Sequence, residues 1–239
     1  MSGTSDVPSR AGEFVARHVV IAIDGPAASG KSSTAQWVAK RLGYFHVDSG
    51  ALYRAATAAQ LRRNPAADQW TDDDVLQAAR AITFEPIGST FTPLIDGVDA
   101  GEELRGADVT RHVSPVAKMQ RVRDWVNALV REAAHGHNVV ADGRDMGTAV
   151  FPYADLKVFL IADPWERARR RLVQRLDRSP TDDEIAEETD RIAQRDAKDA
   201  VQTARADDAV IIDTTYITQE DQVDRIVALA RAAVRRRSD

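Results

Sequence analysis

Apolar residues in this chain gather in five short unbroken runs, at 19–23, 44–47, 138–141, 156–161 and 209–212. None of them alternates with polar residues. Continuous runs of this length predict strands buried on both faces, as in a parallel sheet covered by helices. Between them the period lengthens to that of amphipathic helices, at 31–42, 51–62, 116–134, 165–176, 182–199 and 219–236. The alternation predicts an α/β fold with a doubly wound, parallel, five-stranded sheet and ligands at the carboxyl ends of its strands. Two stretches interrupt it. Residues 64–134 hold extended runs at 83–87 and 92–95 with turn signals at Gly88-Ser89 and Asp96-Gly97, and predict a small inserted α+β region over a second substrate. Residues 166–199 predict a charged helical pair linked through Ser179-Pro180-Thr181. The core is then expected from 18–63, 135–165 and 200–239, and residues 1–17 read as a disordered extension.

Composition narrows the field. Apolar residues make up 44% of the 239, enough for a packed core, at a mean hydropathy of −0.36. No run is long enough for a membrane span. The absence of cysteine fits a reducing cytoplasm, and a net charge of −5 argues against a general nucleic-acid binder. Arg outnumbers Lys 27 to 5, partly a matter of compositional bias, so only arginines at motif positions carry weight.

The strongest motif follows the first run. Gly25-Pro26-Ala27-Ala28-Ser29-Gly30-Lys31-Ser32 is GxxxxGK[ST] between a strand and a helix, with Ser33 next. Glycines let the backbone wind around a polyphosphate so that amides and a helix N-terminus face the anion. Lys31 reaches terminal phosphates and the Ser32 hydroxyl can ligate Mg²⁺. These residues predict binding of ATP with Mg²⁺. Asp142, ending the third run, stands where a carboxylate holds the metal or its water; Asp24 could serve instead or order the loop.

Two further segments end strands on the same rim: Asp48-Ser49-Gly50-Ala51-Leu52-Tyr53-Arg54 and Ala141 to Thr148, with Asp142, Arg144 and Asp145. Paired arginines suit a phosphate monoester, and Asp and Ser suit sugar hydroxyls or a base amine. Local ion pairing at strand ends is the plainer alternative for any one of them. In the helical pair, Arg167, Arg171, Arg175 and Arg178 fall at i, i+4, i+8 and i+11 and are expected on one face. Either they close over a transferred phosphoryl group, Arg167 and Arg171 foremost, or they pair with the acidic run at 182–188.

Taken together, IDGPAASGKSS (23–33), DSGALYR (48–54), VSPVA…VR (113–123), ADGRDMGTAVFP (141–152), RDAKD (195–199) and IIDTT (211–215) resemble the bacterial cytidylate (CMP) kinases, within the nucleoside monophosphate kinases. The resemblance covers nearly the whole chain. It implies transfer of the γ-phosphoryl group of ATP to CMP, and to dCMP, giving CDP and ADP. It implies that Arg54 and Arg144, with Tyr53 nearby, hold the acceptor phosphate. Ser49, Arg123 and Asp145 would read the cytosine, Ser114, Arg195 and Asp199 the ribose, and 166–199 would be the lid. Gln202 departs from the family pattern, which commonly has Arg there. A monomer without nucleic-acid or membrane partners is expected. Other small-acceptor kinases and a nucleotide-dependent switch are the rival readings; the Asn-Lys-x-Asp motif of regulatory GTPases is absent from the sequence.

Overall fold

The structure, a computed structural model, describes residues 18–66, 69–176, 178–200 and 202–238. The expectation for 1–17 lies outside the described residues. Five parallel strands form the centre: β1 (Val20–Asp24), β2 (Phe45–Asp48), β6 (Val139–Gly143), β7 (Leu156–Ile161) and β8 (Val210–Asp213), in the order β2-β6-β1-β7-β8. In the four inner strands the unbroken hydrophobicity has the predicted cause; β8 is an edge strand whose Val210 and Ile211 are exposed. Ile21 and Ile23 pack on one face with Val140, while Ala22 packs on the other with Val139 and Ala141; all six are fully buried. One face is covered by α1 (Lys31–Leu42) and α9 (Gln219–Ser238), the other by α2 (Ser49–Arg63) and α6 (Gln120–Ala134).

The described sheet has eight strands rather than the expected five. β3 (Ile82–Ile87) and β4 (Thr90–Ile95) form an antiparallel pair, and β5 (Val98–Asp99) adds to the far half of β4. The near half of β4 pairs in parallel with β2, Thr90 opposite His46 and Phe91 opposite Val47. The inserted segment therefore prolongs the main sheet. Pairing across that distance leaves no local trace in sequence.

The helices also differ in detail. A short helix, α3 (Asp72–Ala79), begins on a capping box between Thr71 and Asp74. The helix expected over 116–134 is α6, which starts only at Gln120 after an extended Met119; the separate α5 (Ala107–Val116), ending at Ala117, was not expected. A four-residue helix, α4 (Gly101–Leu104), precedes them. Beyond the sheet, α7 (Pro164–Leu176) and α8 (Asp182–Asp199) pack through Ala168, Leu172, Ile185 and Ile192. Pro164 opens α7 where its missing N–H costs nothing, with Asp163 accepting from the amides of Trp165 and Glu166. A second capping box, Thr181 with Glu184, starts α8. Arg178 falls after α7, so Arg167, Arg171 and Arg175 remain on that helix and Arg178 does not.

Candidate active site

The loop between β1 and α1 is shaped by its backbone. Gly25 has φ of 150°, and a Cβ there would lie 2.3 Å from the Leu160 carbonyl oxygen, so only glycine fits. Ala28 takes the left-handed region at φ 57°, uncommon for a residue with a side chain, at a cost on the order of 1 kcal/mol. Gly30 (φ 86°) then turns the chain into α1 with no side chain capping its first amides. Those amides are left for a ligand.

Lys31 is only 8% exposed, and its ammonium donates to the Pro26 carbonyl at 2.8 Å. Burial, reinforced by the positive charge of Arg144, pulls its pKa from 10.5 down to about 7, against the pull of Asp142, Asp24 and Asp48. A cation held this way lacks a full counter-charge. The Ser32 hydroxyl donates to Oδ2 of Asp142 at 2.6 Å, and Oδ1 of Asp142 lies 2.7 Å from Nε2 of the buried His46. Burial disfavours a charged His46, yet the hydrogen bond and charge of Asp142, with Asp48 behind it, raise its pKa. Burial raises the Asp48 carboxyl to about 6, with the charge of Asp142 adding to it; its side chain also caps α2 at Ala51.

Asp24 has a different task. Its two oxygens accept from the amides of Met146 and Gly147 at 2.8 and 2.7 Å, binding the end of β1 to the π-helical turn Met146–Val150. Burial nevertheless raises its pKa to about 6. Ser32 and Asp142, already bonded to each other at the start of α1, are adjacent oxygens that could hold a metal. Among the described residues no group of three His, Cys, Asp or Glu side chains forms a metal site by itself. Two hard oxygen donors beside a phosphate loop fit Mg²⁺, which keeps waters and takes its other ligands from phosphates.

The second set of residues lies along the same rim. Arg144 donates to the Gly25 carbonyl at 2.9 Å and lies 3.5 Å from a carboxylate oxygen of Asp199, which is 3.6 Å from Arg195. Arg54 donates to the Leu104 carbonyl and to Thr110. Burial, with the charge of Arg195 next, lowers the pKa of both Arg54 and Arg144; Arg171 is lowered chiefly by burial. Crowded guanidiniums of one sign make a field that favours an anion.

Arg123 reaches back over the break between α5 and α6, donating to the Ala117 carbonyl at 3.1 Å and pairing with Asp145. The two line a cleft of about 280 Å³ with Lys118, Gln120, Thr148 and Gln202. Burial raises the Asp145 pKa, against the pull of Arg123. The nearby Tyr53 hydroxyl is buried with no hydrogen-bond partner among the described residues. Ser49 donates to the Asp142 carbonyl at 2.9 Å, while Ser114 sits half-buried in α5.

Arg167, Arg171 and Arg175 of α7 face α8, whereas Arg169 and Arg170 pair with Glu166 of their own helix. Arg171 and Arg175 pair with the buried Glu188 at 3.1 and 3.7 Å, and Arg178 pairs with Glu184 at 2.6 Å. Arg167 is 5% exposed and bonds both the Ala27 carbonyl and Asp196. Sequence reasoning did not single out His46, Glu188 or Asp196. Each lies far along the chain from its partner, and only the acidic run around Glu188 gave a hint.

A glycine-anchored anion loop after a buried parallel strand, with Lys and Ser in its helix and a carboxylate on the neighbouring strand, is the arrangement of the P-loop nucleotide-binding proteins. The basic rim facing it belongs to those that phosphorylate a second molecule. Within that class the chain belongs to the cytidylate kinase family, whose model matches residues 21–232. It is similar to the cytidylate kinase of Limosilactobacillus fermentum, 41% identical over 214 residues covering 87% of this chain and 93% of that one. That of Chlorobaculum tepidum is 39% identical over 230 residues, covering 92% and 96%. A solved shikimate kinase from Bacteroides thetaiotaomicron is similar at a TM-score of 0.47 and 16% identity, covering 89% of this chain and 98% of that one.

Proposed function

We propose that this chain transfers the γ-phosphoryl group of ATP to CMP, and to dCMP, giving CDP or dCDP and ADP. The observation that carries the reading is the Arg144 guanidinium on the Gly25 carbonyl, which makes the acceptor's arginine and the donor's loop neighbours on one rim. Membership of the family supports the choice of CMP.

An oxygen of the acceptor phosphate attacks the γ-phosphorus as the bond to the β–γ bridging oxygen breaks, and the released electron pair stays on ADP. The acceptor's second pKa is about 6, so the nucleophile is ionised at neutral pH and needs no general base. Positioning and charge neutralisation supply the rate. In this reading the amides from Gly25 to Ser33 cradle the donor and Lys31 meets its terminal phosphates. Arg54, Arg144 and the Tyr53 hydroxyl hold the acceptor phosphate, with Arg167 and Arg171 of the lid neutralising the moving group. Ser32 and Asp142 would hold Mg²⁺, which when bound offsets charge on the donor phosphates. Asp145 accepts from the cytosine amino group, where uracil has a carbonyl. Arg123 donates to the O2 and N3 edge, Ser49 supports the base, and Ser114, Arg195 and Asp199 hold the ribose. The segment 64–134 then serves the acceptor and 166–199 covers both.

The same reading makes the protein a cytoplasmic monomer without a nucleic-acid partner; the net charge of −5 supports the last of these and the absence of cysteine a reducing compartment. No described helix is long and apolar enough to cross a membrane. An ADP-release assay with CMP, dCMP, UMP and AMP tests the assignment. CMP and dCMP are expected to exceed UMP and AMP in kcat/KM by at least about 100-fold. No response to any pyrimidine monophosphate, or a preference for AMP, overturns it.

A further inference from the structure

The phosphate loop already carries a carboxylate. Oδ1 of Asp196 accepts from the Ala27 amide at 3.1 Å, although the two residues are 169 apart in sequence. Oδ2 accepts from Arg167 at 2.5 Å, and the same Arg167 nitrogen donates to the Ala27 carbonyl at 3.0 Å. Both backbone groups of one loop residue are thus engaged by an acid–base pair from α7 and α8. Three residues on, Asp199 lies against Arg144. Spacing of i and i+3 puts the two carboxylates on one face of the last turn of α8. One points at the loop, the other at the arginine of the acceptor site.

A backbone amide at the mouth of an anion loop is a natural partner for phosphate, and a carboxylate is the nearest substitute a protein can offer. A triphosphate arriving there meets a fixed negative charge and finds Arg167 already paired. We propose that Asp196 is an internal plug of the phosphate loop, competing with the donor nucleotide for the loop and for Arg167, so that donor binding requires α8 to release Ala27. The proposal rests on the reading that the loop takes the triphosphate of ATP. Donor binding then frees Arg167 to turn toward the phosphates. The contact keeps a strongly cationic rim from standing unpaired before the nucleotide enters.

The sign of the effect separates this from simple support of Arg167. If Asp196 only positions Arg167 for the donor, neutralising it weakens donor binding; if it competes, neutralising it strengthens binding. The test is calorimetric titration of the full chain with a non-hydrolysable ATP analogue and magnesium, without acceptor, for wild type, Asp196→Asn, Asp196→Ala and Asp190→Asn. Asp196→Asn keeps the size and a carbonyl for the Ala27 amide, so it is expected to fold even if Asp196→Ala does not, and melting curves check both. Asp196→Asn is expected to lower Kd about tenfold. Asp190→Asn removes the same charge from an exposed position of α8 and is expected to leave Kd unchanged. An unchanged or raised Kd in Asp196→Asn overturns the proposal, as does equal tightening in Asp190→Asn. A wild-type chain that binds no analogue overturns the ATP reading as well, whereas normal wild-type binding with no gain in Asp196→Asn sinks the plug alone.

Discussion

Replacing Lys31 with Met should abolish phosphoryl transfer while making the nucleotide-free protein more stable. The ammonium is 8% exposed and is pulled from a pKa of 10.5 to about 7, chiefly by burial. At neutral pH that displacement corresponds to a penalty of about 4 kcal/mol on the folded state. Met fills much the same volume without a charge. Against the gain stand the lost hydrogen bond to Pro26, worth about 1 kcal/mol, and three carboxylates, Asp142, Asp24 and Asp48, that lose a neighbouring cation. A net gain of about 2 kcal/mol should raise Tm by about 4–8 °C. The sign with pH follows from the same shift. Between about pH 7 and 10.5 the unfolded chain binds a proton that the native chain has shed, so wild-type stability climbs with pH across that window. The variant lacks this climb. Its advantage should be largest below pH 7 and should shrink toward pH 10. Thermal unfolding without nucleotide, at about pH 6.5 and about pH 9.5, checks both parts. A lower Tm for Lys31→Met at the acidic point, or a gap that ignores pH, refutes the reasoning. ATP with magnesium should raise the wild-type Tm and leave the variant nearly unmoved.

Other perturbations probe the rest of the rim. Arg144→Ala should raise the KM for CMP at least about tenfold with a much smaller change for ATP, and steady-state kinetics showing an unchanged CMP response would contradict its place at the acceptor phosphate. Asp145→Asn replaces the acceptor-only carboxylate proposed for the cytosine amine with an amide that can also donate to a uracil carbonyl, and should narrow the CMP over UMP preference at least about tenfold, read from the ratio of kcat/KM values. Gly25→Ala puts a methyl 2.3 Å from the Leu160 carbonyl oxygen, so chemical denaturation should show a loss of about 3 kcal/mol or more. Wild-type stability there would mean the loop can shift away from β7.

The central strands were legible because both faces of the sheet demand apolar residues: neither Ile21 nor Ala22 has a polar side to betray it as anything else. The loop was legible because its chemistry is local, a run of eight residues. What sequence did not reveal depends on distance or on short range detail. The pairing of Thr90 and Phe91 with β2 is set by tertiary packing. No helix was expected at α3, where Asp72, Asp73 and Asp74 outweigh the three residues it buries; the Thr71–Asp74 capping box was the available signal. An apolar period running on past Val116 hid the break at Ala117–Met119, the break across which Arg123 reaches its carbonyl. His46 read as one polar residue in a strand, and only folding brings it onto Asp142.

One consequence follows from the joining of β4 to β2. The inserted segment is stitched through Thr90 and Phe91 into the same hydrogen-bonded sheet that carries the phosphate loop, so any motion that parts the two must break that pairing. Parting the acceptor side from the donor loop would therefore carry the loss of those sheet hydrogen bonds, a cost that α7 and α8, outside the sheet, do not face.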